Sequence, residues 1–117
     1  MTKPNFLKLA KLAARICDDK KGQDILLLSV RKLTAIADYF LIATALSPPH
    51  LRALSETVRK TFREELGMGT IHGEGKNSPH WAVLDYGGLV IHIMTGQARE
   101  FYALENIWNA ARKLKFK

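Results

Sequence analysis

Trp81-Ala82-Val83-Leu84-Asp85-Tyr86-Gly87-Gly88-Leu89-Val90-Ile91-His92-Ile93-Met94 is a pair of β-rich runs on either side of two glycines. Such a stretch predicts a β-hairpin, because glycine reaches the positive φ values of a tight turn and the flanking residues favour extended backbone. A two-residue turn fixes the register: Tyr86 faces Leu89, Leu84 faces Ile91 and Ala82 faces Ile93, which makes one side of the ribbon apolar throughout. The other side carries Trp81, Val83, Asp85, Val90, His92 and Met94. A carboxylate buried there without a partner is costly, so this second side is expected to be wet, internally paired or covered by another molecule.

Upstream of the hairpin, a short strand near Thr70 to Glu74 and the polar loop Gly75 to Pro79 are expected. Before them, Ser47-Pro48-Pro49 opens a helix, with serine as N-cap and proline where the first N–H groups have no partner. That helix buries Leu51, Leu54, Val58, Phe62 and Leu66 and ends at Gly67. Two apolar strands precede it, Asp24 to Val30 and Ile36 to Thr44. Their link is too short for a crossover helix, so they are antiparallel neighbours, and the first, apolar on both sides, is expected at the centre of the sheet. An amphipathic helix from about Asn5 to Asp18 opens the chain, with Phe6, Leu9, Leu12, Ala13 and Ile16 inward and Lys8, Lys11 and Arg15 outward. A last helix, about Gln97 to Leu114, is expected to bury Phe101, Leu104, Trp108 and Ala111. The order α-β-β-α-β-β-β-α predicts an α/β (α+β) single domain over 1–117, a five-stranded mixed sheet with three helices.

Composition sets the outer limits. With 117 residues, 47% hydrophobic and 25% charged, the chain is one globular domain and not a disordered one. The single cysteine, Cys17, rules out an internal disulfide, and its apolar helical position suits an inert core residue. No apolar run reaches the ~20 residues of a membrane span, and no uninterrupted secretory segment opens the chain, so a cytoplasmic location is expected. The net charge of +7 is uneven. Residues 1–21 hold six Lys/Arg and two acids, and the basic tail from Arg112 to Lys117 holds four Lys/Arg and none. The body between them is near neutral, with eight basic and nine acidic residues. Basic ends on a neutral body are either solvated or drawn non-specifically to a polyanion that the protein works beside.

Several separate segments together resemble the ribosomal silencing factor, or Iojap-like, family over about residues 5 to 111. They are Ala37 to Thr44, Glu74-Gly75, Trp81, Leu84-Asp85-Tyr86-Gly87, His92, and Arg99 with Phe101-Tyr102, Leu104-Glu105 and Trp108. The resemblance implies a nucleotidyltransferase-like fold without that activity and a homodimer off the ribosome. It further implies a translation repressor that docks on the large ribosomal subunit, on the protein conventionally numbered fourteen, and blocks joining of the small subunit, with the basic ends expected to touch ribosomal RNA non-specifically. Carried over by position, it makes Glu74, Trp81, Asp85, Tyr86, His92, Arg99 and Tyr102 the partner-binding candidates. The chain departs from the family pattern at Ala45-Leu46-Ser47, where Gly-Thr-Ser is usual, at Pro49, where a basic residue is usual, and at Gly88 and Ala110, where acids are usual. The docking surface is thus expected to be less acidic.

Enzyme readings lack their parts. A nucleotidyltransferase needs a Gly-Ser turn opening a helix and carboxylates spaced for two metals; no Gly-Ser precedes the middle helix, and Asp85 has no acid two residues away on its strand. His72-Gly73-Glu74 resembles half of a zinc deaminase motif whose cysteine pair is absent. Gly73-Glu74-Gly75 opens no helix and reads as a turn. His50, His72, His80 and His92 lack ligand spacing, so no metal, cofactor or catalytic residue is expected. The alternative to the repressor is a small RNA-binding or ribosome-assembly accessory factor.

Overall fold

A computed structural model of the chain describes residues 4–70 and 78–116. Helix α1 spans Phe6–Asp19, and the Asn5 side chain caps it by accepting from the Lys8 N–H at 3.1 Å. Strands β1 (Gln23–Ser29) and β2 (Tyr39–Ala45) follow as antiparallel neighbours. Helix α2 (Pro48–Leu66) starts as its sequence dictates: the Ser47 hydroxyl accepts from the His50 N–H, and proline fills the first turn. Its end is Gly67, whose φ of 66° is the left-handed cap that glycine supplies without strain.

The hairpin of β3 (Trp81–Asp85) and β4 (Leu89–Thr95) has the expected register, with Leu84 opposite Ile91 and Ala82 opposite Ile93. The turn closes with the Tyr86 N–H on the Leu89 carbonyl at 2.8 Å. Only one of its glycines needs positive φ, Gly87 at 88°. Gly88 is required for space instead: a Cβ there would lie 2.2 Å from the Phe6 ring.

The five strands form one mixed sheet in the order β3-β4-β2-β1-β5, antiparallel except for the central β2–β4 pair, which is parallel. Each face is covered. On one, Leu27, Leu41, Leu84, Ile91 and Ile93 meet the alanine-rich side of α1 (Ala10, Ala13, Ala14) and Leu54, Val58 and Phe62 of α2. Small residues on α1 let that helix lie close to the sheet. Cys17 is buried here and its thiol is pushed up to about 12 by desolvation, an inert position. On the other face, Leu28, Phe40, Ile42, Val90 and Met94 lie under Ala98, Leu104, Trp108 and Ala111.

The C-terminal part departs from expectation. Instead of one helix over Gln97 to Leu114, α3 (Gly96–Tyr102) and the single turn α4 (Leu104–Ile107) are separated by Ala103 at φ 47°. A tertiary anchor overrides the helical periodicity at this point. Arg99 donates to Glu105 Oε2 at 3.0 Å, to Thr44 Oγ1 at 2.9 Å and to the Asp24 carbonyl, drawing the following turn back to the sheet. Phe101, expected inside, is 79% exposed as a result. The element order changes accordingly. Residues 112–114, expected in the last helix, form β5 on the edge, so β1 is an interior strand flanked by β2 and β5, while the middle strand is β2; β2 and β4 are the strands buried along their whole lengths or nearly so. The strand expected near Thr70 to Glu74 is not extended sheet at Thr70, and its remainder lies outside the described residues.

Candidate functional site

The second side of the hairpin, with its aspartate, histidine and tryptophan, is partly roofed by the C-terminal segment and partly open. Trp81 and His92 are diagonal neighbours across β3 and β4, and the indole Nε1–H donates to His92 Nδ1 at 3.1 Å. An accepting Nδ1 puts the ring proton on Nε2. Burial pushes His92 down to about 4, so the imidazole is neutral at physiological pH. The Phe40 ring meets it edge-on at 5.6 Å and the Trp108 ring, also edge-on, at 5.0 Å. His92 is a hydrogen-bonded wedge in an aromatic cluster.

Above this wedge the cluster reaches the surface. The Tyr102 ring lies 4.7 Å from Trp81, and Phe101 stands edge-on to Tyr102 at 4.9 Å. Phe101, Tyr102 and Ile107 on the C-terminal segment and Val83 on β3 are all exposed. Aromatic side chains that are held from behind and open in front lose little entropy on contact and bury much area, the character of interface anchors.

The other candidates divide. Asp85 accepts from the Gly87 N–H at 2.8 Å through Oδ1 and so caps the hairpin turn, which accounts for a half-buried carboxylate on this strand. Tyr86 points to the opposite face and is core, tilted against Phe62 at 4.7 Å. Arg99 is 11% exposed and holds the C-terminal segment in place, thereby setting Tyr102 over Trp81. Desolvation raises the Glu105 carboxyl, but its backbone N–H and the Arg99 guanidinium outweigh that and hold it below the usual range. Glu74 lies outside the described residues, as do the segments His72-Gly73-Glu74 and Gly73-Glu74-Gly75.

Phe101 and Val83 belong to this face although the periodicity did not single them out as surface residues. One signal was present: Phe101 and Tyr102 are adjacent, and neighbours on a helix point about 100° apart, so both cannot face one core. The described histidines are engaged separately, His50 with the Leu46 N–H and the Lys20 carbonyl, His80 with Thr95 Oγ1 and His92 with Trp81. Among the described residues no group of three His, Cys, Asp or Glu is placed to hold a metal ion. No helix among them is long and apolar enough to cross a membrane.

A family model described as ribosomal silencing factor during starvation matches residues 3–117. The chain is 34% identical over 107 residues to the ribosomal silencing factor of Bacillus subtilis, covering 92% of this chain and 90% of that one. It is 34% identical over 102 residues to the Haemophilus influenzae factor, covering 87% and 99%. A longer relative, the chloroplastic protein Iojap of Arabidopsis thaliana, is 32% identical across 93% of this chain and 45% of its own length. In three dimensions the chain resembles a crystal structure from Chromobacterium violaceum with a TM-score of 0.83 and 31% identity, covering 97% of this chain and 92% of the other.

Proposed function

The chain belongs to the ribosomal silencing factor family, and from that premise we propose that it represses translation by docking on the large ribosomal subunit and keeping the small subunit from joining. The observation that supports this reading is the open aromatic face of Trp81, Tyr102 and Phe101 with the exposed Val83 beside Trp81. Such a face gives a standard interface its anchoring centre. The partner is the large-subunit protein conventionally numbered fourteen. Off the ribosome the same apolar area is covered in a homodimer. Repression of this kind makes no bond: a body measuring 39 × 34 × 28 Å between two subunits is enough to hold them apart. The protein works where ribosomes are, in the cytoplasm.

Sedimentation with purified subunits tests this. The chain is expected to travel with free large subunits and to lower the yield of joined particles, while Phe101→Asp, at a site 79% exposed, keeps its fold and loses both effects. Co-sedimentation with small subunits alone, or with neither, refutes the reading. A second reading comes from a mouse relative, 31% identical over 91 residues, whose name assigns it to mitochondrial assembly of the large ribosomal subunit. As an assembly factor, the chain would leave joining of mature subunits unchanged, and its loss would cause immature large subunits to accumulate.

A further inference from the structure

Positive charge that is scattered in the sequence is brought by the fold to three neighbouring segments, the outer side of α1, the turn after β1 and the β5 edge. Along α1 the exposed Lys8 and Arg15 and the half-buried Lys11 follow one another at single-turn spacing, and residues 4–17 contain no acid. Strand β5 pairs Arg112 with Ser29 and Lys113 with Leu28, which sets both beside the end of β1, Arg112 on the α1 side of the sheet and Lys113 on the other side, where Asp24, Glu100 and Glu105 line the same cleft. Two residues beyond Ser29 come Arg31 and Lys32, both exposed, in the turn closed by the Leu33 and Thr34 N–H groups on the Val30 carbonyl. The tail meets α1 again where Arg15 donates to the Phe116 carbonyl at 3.4 Å, with the exposed Lys115 just before it.

These segments carry eight Lys/Arg and no acid, whereas the rest of the chain carries ten Lys/Arg and eleven acids. The whole charge excess thus lies in this one region. It is bounded by Asp18, Asp19 and Asp24 where α1 ends and β1 begins, and by Asp38 where β2 begins. On α1 and β5 the apolar residues are turned inward, since Leu12, Ile16, Leu114 and Phe116 all pack against the core, whereas Leu33 in the turn and Ile36 just after it are exposed. On α1 and β5 there is no exposed apolar wedge for a lipid phase, only cations held at helix and strand spacing. The surface also differs from the aromatic face, which borders the opposite edge strand, β3.

We propose that this α1–turn–β5 surface binds the phosphodiester backbone of RNA, without reading its sequence, as a second contact beside the aromatic one. The proposal rests on the ribosome-docking reading for its biological partner but not for its chemistry. Cations at this spacing neutralise successive phosphates and release counterions, which makes affinity fall steeply with salt.

The test is fluorescence anisotropy with a 20-base-pair RNA duplex across a salt series. Three paired variants, Lys8→Gln with Lys11→Gln, Arg31→Gln with Lys32→Gln, and Lys113→Gln with Lys115→Gln, are each expected to flatten the log–log salt slope by about 1 to 2, at roughly 0.9 for every phosphate no longer neutralised. The control pair Arg52→Gln with Lys60→Gln, exposed on α2, is expected to leave it unchanged. Equal flattening by the control, or no duplex binding at low salt, overturns the proposal. So does tighter binding to phosphatidylglycerol vesicles than to RNA, which would reassign the surface to a membrane. If the basic pairs do not affect RNA affinity and the unaltered chain still travels with large subunits, this surface fails and the docking reading stands.

Discussion

Replacing Gly88 by alanine tests whether one close approach sets the angle of α1. The added Cβ would lie 2.2, 2.5 and 2.6 Å from three atoms of the Phe6 ring, all shorter than carbon atoms tolerate. The turn cannot retreat, because the Gly88 carbonyl accepts from the Asp38 and Tyr39 N–H groups, both at 2.9 Å. The ring must move. It is half-buried against the core, so displacing it exposes on the order of 50–100 Å² of apolar surface, or about 1–2.5 kcal/mol. Gly88 is not in the left-handed region, so alanine also restricts the unfolded chain and regains about 0.5 kcal/mol. The expected net loss is about 1–2 kcal/mol, seen as a fall in Tm of several degrees. Phe6→Ala alone should cost a similar amount. In the Phe6→Ala background, however, Gly88→Ala should be neutral or slightly stabilising, giving a coupling of about 1–2 kcal/mol in a double-mutant cycle measured by urea unfolding. Additive losses within about 0.5 kcal/mol would show that the ring does not occupy the space that glycine leaves. The same contact leaves no room for any larger side chain at this position while Phe6 keeps its place.

Asp85→Asn retains an oxygen that accepts from the Gly87 N–H and removes the charge, so Tm should hold while large-subunit affinity falls; a lower Tm with unchanged affinity would make the cap its only role. Asp85→Lys loses both cap and charge and should lower both. His92 has its folded pKa lowered to about 4 against an ordinary 6.5, so between those values the unfolded chain binds more protons and stability falls as pH falls. The full effect is about 3 kcal/mol, and His92→Gln should remove that slope from urea midpoints measured between pH 7 and pH 4. Arg99→Met removes the bonds to Thr44, Asp24 and Glu105 and should cost about 2–3 kcal/mol, with faster amide exchange in residues 96–111 than in the sheet; uniform exchange across the chain would deny the anchor.

What was legible in the sequence is what is decided locally. Gly87 with alternating runs specified the hairpin and its register, Ser47 with Pro48 specified the start of α2, and the short link between β1 and β2 forced them antiparallel. The same register placed Trp81 and His92 on one side of the ribbon. Long-range bonds were invisible. The Arg99 anchor breaks the last helix at Ala103, turns Phe101 outward and frees residues 112–114 to become a strand, whereas periodicity, which assumes one straight cylinder, joins them all. The two turn glycines look equivalent as letters, yet one answers to a dihedral angle and the other to Phe6. Tyr86 turned out to be buried and Arg99 nearly so, and Phe101, the most exposed large apolar side chain among the described residues, had the spacing of a core position.

The parallel pairing of β2 with β4 also constrains the order in which the molecule is made. Tyr39 pairs with Leu89, about fifty residues further on, so this contact closes only after α2 and β3 have been synthesised. Loop closure over that span costs roughly 3–4 kcal/mol of chain entropy before any pairing compensates it. The two local hairpins, β1–β2 and β3–β4, have no such delay and can form first, with α1 and α2 waiting for a face to cover. Refolding should therefore be limited by the meeting of two preformed ribbons: substitutions of Leu41 and Ile91 at that seam should slow folding, while a change in β5 should speed unfolding and leave the folding rate almost untouched.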